Sequence, residues 1–175
     1  MNLPLRLCEV MGDLRSDYGL SDMEQPLLRE VFEIWCGLRG GRRIPRVETL
    51  DPLHFLRFSA NLVVCDVLDD GDVEFRIAGE SVTSARGASL RGIRVRTVAQ
   101  ERGQNLSVQQ YLDAARLAEP AYYDGPSLMF GKAYLRCQRI LLPFVDEDGR
   151  CRKILGVLVF GARPAHDPDK TAAKP

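Results

Sequence analysis

The chain has 175 residues, 45% of them hydrophobic, and its 24 basic residues balance its 24 acidic residues. This length suits one domain, and the hydrophobic content is too high for general disorder. Zero net charge gives no electrostatic reason to expect nucleic acid or an anionic membrane as a partner, and no stretch approaches the roughly 20 apolar residues of a membrane span. We therefore expect a soluble, cytoplasmic protein.

The five cysteines are widely spaced and include no Cys-x-x-Cys pair. An odd number at such spacing argues against a disulfide framework and against a zinc site. Arg6 and Glu9 interrupt the apolar residues near the start of the chain, so no secretory signal is indicated. We expect reduced thiols and no bound metal; the cysteines are Cys8, Cys36, Cys65, Cys137 and Cys151.

Residues 1–41 are predicted to form a helical leader. Apolar residues between Leu7 and Leu14 hint at a short first helix. A second helix has two possible starts. Ser21 and Glu24 have the spacing of a capping box, or the helix begins nearer Gln25, with Pro26 in its first turn, where proline is tolerated. It ends at Gly40-Gly41, because glycine commonly follows a helix C-terminus.

The apolar face of this second helix must be buried against another surface. We expect a second copy of the chain to cover it, which would make the protein a homodimer. Packing on the chain's own sheet is the alternative. The face consists of Leu27, Val31, Ile34, Trp35 and Leu38.

Residues 42–60 are predicted to be an irregular linker, since Pro45 and Pro52 disfavour helix in the residues before them. Basic residues cluster here. They are either solvated and paired with Glu48 and Asp51, or they form a docking surface for an acidic partner. The cluster consists of Arg39, Arg42, Arg43 and Arg46.

Residues 61–161 are predicted to form a core of strands and helices. The turn signal at 69–72 joins two strands into a hairpin, and alternation in the second strand places Val73, Phe75 and Ile77 on one face. Residues 162–175 are expected to form a disordered tail. The predicted elements are strands at 62–67 and 73–78, helices at 80–86 and 106–118, and strands at 133–142 and 154–160.

Several short motifs in this order resemble a bacterial stand-alone PAS domain family, found mainly in alphaproteobacteria. They include Phe75-Arg76-Ile77-Ala78-Gly79 and Leu141-Leu142-Pro143, and the rest lie at 35–45, 50–52, 87–92 and 154–160. The resemblance implies an α+β fold, in which helices flank a five-stranded antiparallel sheet and enclose a cavity, with the N-terminal helical extension in front. It also implies a sensory or regulatory protein without an attached catalytic or DNA-binding domain.

Haem and flavin chemistry are both disfavoured by this resemblance. The only histidines, His54 and His166, lie outside the core, where a haem-binding PAS domain needs its axial ligand. A covalent flavin adduct needs a cysteine within 80–91, and none is present. Cys65 or Cys137 could ligate haem, but a buried cysteine more often serves as a small apolar side chain. The cofactor is therefore left unknown.

No catalytic arrangement is indicated either. The core has no histidine to activate a nucleophile, and there is no glycine-rich loop at a helix start. Glu80 follows Gly79 and could act as an acid or base, although a carboxylate at a helix start is usually there to stabilise the helix. We expect the protein not to be an enzyme.

Binding is the function that remains. An apolar cavity would suit a small apolar or aromatic ligand, with Tyr111, Tyr122, Tyr123 or Tyr134 as a polar contact. A signalling protein is the other possible partner, and a ligandless adaptor is the alternative, in which large side chains fill the core. The residues predicted to line the pocket, unless they are only core, are Val63, Cys65, Phe75, Ile77, Leu112, Ala115, Tyr134, Leu141, Val157 and Val159.

Overall fold

The computed structural model of the chain describes residues 23–103 and 105–162. The predicted first leader helix near Leu7–Leu14 and the predicted tail from residue 163 onward lie outside the described residues.

In the described part of the chain five antiparallel strands form one sheet, as the family resemblance implied. Their order across the sheet is β2-β1-β5-β4-β3, so the first hairpin lies beside the long final hairpin. The strands are β1 Leu62–Val67, β2 Val73–Ala78, β3 Ala121–Ser127, β4 Lys132–Val145 and β5 Cys151–Ala162.

Within the described residues, four α-helices and three short 3-10 helices flank the sheet. In the first helix, the Gln25 side chain accepts a hydrogen bond from the Leu27 amide at 3.3 Å, and Pro26 occupies the first turn. The α-helices are α1 Pro26–Leu38, α2 Glu80–Arg86, α3 Val95–Arg102 and α4 Leu106–Leu117, and the 3-10 helices are Val47–Thr49, Pro52–Phe58 and Leu128–Phe130.

Both faces of the sheet are covered, and each face has its own hydrophobic cluster. Helices α2, α3 and α4 cover one face, here called the α4 face, which includes Val63 and Leu141. Helix α1 and the Pro52–Phe58 helix cover the other, here called the α1 face, which includes Ile140 and Val157. Because side chains alternate along a strand, β4 and β5 contribute to both clusters.

The predicted dimer face of α1 packs within the chain instead. Val31 and Trp35 have no exposed surface in a single chain. The Trp35 indole Nε1 donates a hydrogen bond to the Pro143 carbonyl oxygen at 2.9 Å, which ties α1 to β4. Leu27, Ile34 and Leu38 are partly buried against the same cluster. Val31 and Trp35 cannot contact a second copy of the chain in this arrangement, because they are already packed against the chain's own sheet.

Candidate functional site

The ten predicted pocket residues do not surround one space. Six of them lie in the cluster of the α4 face: Val63, Cys65, Phe75, Leu112, Ala115 and Leu141. Val157 and Val159 belong to the α1 face. Ile77 and Tyr134 are 54% and 71% exposed.

A β-bulge explains the position of Ile77. Cys65 pairs with Phe75 but Val64 pairs with Ile77, so Arg76 is an extra residue in β2. An extra residue reverses the alternation of the side chains that follow it. Ile77 therefore does not share the inward face of Phe75, as simple alternation predicted.

The position of Val157 has a different cause. In β5, Ile154 and Leu158 face α4, whereas Leu155 and Val157 face α1. A strand that is buried on both faces is apolar at nearly every position, so its sequence does not reveal which side chain faces which helix.

The centre of the α4 face holds a buried charge that sequence reasoning missed. Arg139, on β4 between Cys137 and Leu141, is only 2% exposed. Its guanidinium carbon lies 4.7 Å from the centroid of the Tyr111 ring and 5.2 Å from that of Tyr123. Because side chains alternate along β4, residue 139 faces inward together with residues 137 and 141. This alternation is the sequence feature from which the burial of Arg139 could have been predicted.

Neighbouring side chains hold this stack in place. The Arg139 Nη2 donates to Gln110 Oε1 at 2.6 Å, and Gln110 Nε2 donates to the Tyr122 carbonyl oxygen at 3.0 Å. The Tyr123 hydroxyl donates to the Pro126 carbonyl oxygen at 2.7 Å. Helix α4 thus supplies Tyr111 and Gln110, while the sheet supplies the arginine and the second ring.

Two polar atoms in this stack have no hydrogen-bond partner among the described residues. They are the Tyr111 hydroxyl oxygen and Arg139 Nε. Phe75 meets the Tyr111 ring edge-on, with the centroids 5.4 Å apart, and so gives it an apolar neighbour rather than a polar one. Buried polar groups are normally paired, and an unpaired one costs about 1–3 kcal/mol.

Burial also sets the protonation of the groups around Arg139. Burial raises the pKa of the Tyr111 hydroxyl well above its usual range, although nearby Arg139 opposes the rise. Burial raises the pKa of the Cys137 thiol to about 11, and it raises that of Cys65 still further. At neutral pH the hydroxyl is a hydrogen-bond donor and both thiols are uncharged, so neither is an activated nucleophile.

Other candidate groups occupy positions at the surface. Glu80 is exposed at the start of α2, and His54 is exposed in the Pro52–Phe58 helix. Within residues 23–103 and 105–162, no three His, Cys, Asp or Glu side chains come together in a way that could hold a metal ion. No helix in this part of the chain is long and apolar enough to cross a membrane.

Three open hollows surround the C-terminal half of α4. Their volumes are about 370, 430 and 300 Å³, and Arg139 lines none of them. Arg42, Arg150 and Arg96 line one each. In the predicted basic cluster, Arg43 pairs with the buried Glu119, and Arg46 pairs with Glu48 and Glu147.

The family model for the PAS domain matches residues 23–159 of this chain. A comparison with curated proteins finds no match. Among solved structures, a mutant of the fungal photoreceptor Vivid is 16% identical with a TM-score of 0.44, and the match covers 77% of this chain and 99% of that chain.

Two bacterial structures are similar at the same level. The PAS domain of BvgS from Bordetella pertussis is 17% identical with a TM-score of 0.44, covering 69% of this chain and 94% of that chain. A sensory box sensor histidine kinase from Vibrio cholerae is 14% identical with a TM-score of 0.37, covering 63% and 90%. The family assignment therefore depends on the family match and not on these structures.

Proposed function

The chain belongs to the PAS domain family, whose members are generally non-catalytic sensory and signalling modules, and we propose that it is a cytoplasmic regulatory sensor that acts by binding. Its ligand would lie between the sheet and α4, beside Arg139 and Tyr111. The buried stack occupies the space where the sequence predicted an apolar pocket, so the proposed ligand carries a polar group.

A single observation carries this proposal. Arg139 Nε and the Tyr111 hydroxyl are buried without partners at the centre of the α4 face. Leaving both unsatisfied costs free energy, and a bound polar molecule would supply the missing partners. Buried polar groups that the protein itself leaves unpaired are rare, and a molecule bound between the sheet and α4 would account for this pair.

Native mass spectrometry of protein purified from its own host tests the proposal. We expect an additional small-molecule mass on the wild-type protein that is lost on denaturation and is absent from an Arg139→Met variant. Arg136→Met is the matched control, because Arg136 lies on the same strand but is only partly buried and is paired with Asp124. It should keep the additional mass. Identical ligand-free masses for all three proteins would contradict the proposal.

An adaptor without a ligand is the second candidate function. Large buried side chains, among them Phe75, Tyr123 and Phe130, already fill much of the α4 face, as an adaptor would require. A signalling protein would then bind the outer surface, where Arg42 and Arg150 line open hollows. A ligand-free wild-type mass would favour this candidate over the sensor.

A further inference from the structure

The positive charge of Arg139 is buried without a compensating negative charge. Among the described residues no carboxylate forms an ion pair with it, and the hydrogen bond that its Nη2 donates goes to the neutral Gln110. The two buried acids are engaged elsewhere: Asp72 accepts from the Val73 and Arg96 amides, and Glu119 pairs with Arg43. Buried charges are normally paired, because removing an ion from water is costly.

The aromatic rings offset only part of this cost. Cation–π contacts with Tyr111 and Tyr123 stabilise the guanidinium. The desolvation penalty of a buried ion is larger than such contacts recover. Both rings lie against the guanidinium, and the unpaired Nε–H is the group that a further partner would contact.

Arg139 Nε and the Tyr111 hydroxyl each have a proton that could be donated to a hydrogen-bond acceptor. Arg139 Nε can only donate, and the Tyr111 hydroxyl is protonated and has a proton to donate. Gln110 cannot serve both, because its oxygen already accepts from Nη2 and its nitrogen already donates to Tyr122. The site therefore lacks an acceptor with negative charge.

We propose that the ligand of the α4 face is a small organic carboxylate, whose oxygens accept hydrogen bonds from Arg139 Nε and the Tyr111 hydroxyl. This inference rests on the proposed sensory function and adds the chemical class of the ligand. The carboxylate is planar and singly charged, which matches the edge of a single guanidinium.

Charge and surroundings favour a carboxylate over other occupants. An internal water would satisfy hydrogen bonds but would leave the charge uncompensated. A phosphate dianion would bring a second negative charge, and Arg139 is the only basic residue buried in the described part of the chain. Phe75, Cys65 and Leu141 lie in the same cluster as Tyr111, so the remainder of the ligand would meet apolar side chains.

Calorimetric titration with acetate, propionate and benzoate, each beside its neutral amide, tests this inference at constant ionic strength. We expect at least one carboxylate to bind, at least tenfold more tightly than the amide of the same shape. Arg139→Met should abolish binding. Tyr111→Phe, which removes one hydroxyl, should weaken it about threefold to tenfold, and Arg136→Met should leave it unchanged.

The wild-type comparison of acid with amide needs no variant, so it remains decisive if Arg139→Met fails to fold. Equal affinities for acid and amide, or no binding of any of the three carboxylates, would overturn the inference. If a different molecule is then found bound to the native protein, the proposed sensory function is retained and only the carboxylate class of the ligand is rejected. If the native protein carries no bound molecule either, the sensory function and the ligand class are both rejected.

Discussion

Arg139 occupies a position where we expect an apolar side chain of similar volume to be at least as stable. It is buried inside a hydrophobic cluster without a carboxylate partner among the described residues. Replacing buried charged groups by apolar residues of similar volume is often neutral or stabilising. The proposed ligand would give this buried charge the partner that the fold itself does not supply.

The stability of an Arg139→Met variant tests this reading of the residue. Methionine fills much of the same volume and removes the desolvated charge, so the free energy of unfolding of the ligand-free protein should stay the same or rise by up to about 2 kcal/mol. Urea denaturation followed by the fluorescence of the single tryptophan, Trp35, measures it. A loss of more than about 2 kcal/mol would show that Arg139 mainly stabilises the fold.

Buried thiols predict a decline in stability at alkaline pH. Burial raises the pKa of Cys137 from its ordinary 9.0 to about 11 and that of Cys151 to about 12. Between pH 9 and these values the unfolded chain releases protons that the folded chain retains. The stability that the neutral thiols provide is therefore full below pH 9 and is lost as pH rises through 11 to 12.

Urea denaturation at a series of pH values checks this decline. We expect the free energy of unfolding to fall by at most about 1.4 kcal/mol per pH unit for each titrating thiol. Cys137→Ala should reduce the slope between pH 9 and 11. A slope that is the same in wild-type and variant proteins would mean that this thiol is not protected by burial.

At the scale of the elements, strand boundaries with strong turn signals were predictable and irregular positions were not. The bounds of β1 and β2 were predicted correctly, since the turn at 69–72 marks them clearly. Strand β3 was not located, because Gly125-Pro126 interrupts its pattern, and such residues are tolerated here because β3 is an edge strand. Helix α3 was missed as well, since its apolar residues span barely two turns.

The candidate site was less predictable than the fold for a physical reason. Six of the ten predicted pocket residues lie on the α4 face; Leu112 and Ala115 follow from helical periodicity, and the other four follow from strand alternation. The bulge at Arg76 and the doubly buried β5 break that rule. Arg139 was overlooked because an arginine in a strand is usually solvated, and only its inward register separates it from the partly exposed Arg136.

Helix α1 is expected to stabilise the chain's own fold rather than an interface. Val31→Asp places a carboxylate in the cluster of the α1 face, where Val31 has no exposed surface, and should lower the free energy of unfolding by about 3 kcal/mol or more. Glu33→Gln is the control on the exposed side of the same helix and should have little effect. Urea denaturation and light scattering measure stability and mass together.

The opposite result would restore the predicted dimer interface. If Val31→Asp left stability unchanged and converted a dimer to a monomer, α1 would have to pack on a second copy in solution. In that case the contact between Trp35 and Pro143 would not persist.

At the scale of the whole molecule, β4 connects the two faces of the sheet. Arg139 points into the α4 face, and its neighbour Ile140 points into the α1 face. Further along the same strand, the Pro143 carbonyl accepts the hydrogen bond from Trp35 on α1. A ligand that shifts Arg139 would therefore displace a strand that also contacts α1, which gives the proposed sensor a route from its site to its outer surface.

A crystal structure of the protein purified from its own host, at a resolution that shows ordered water, is the most direct test of the proposed sensor. We expect density for a non-protein group within about 2.7–3.2 Å of both Arg139 Nε and the Tyr111 hydroxyl. Density for water alone, or side chains that satisfy each other with nothing between them, would contradict a ligand site at this position.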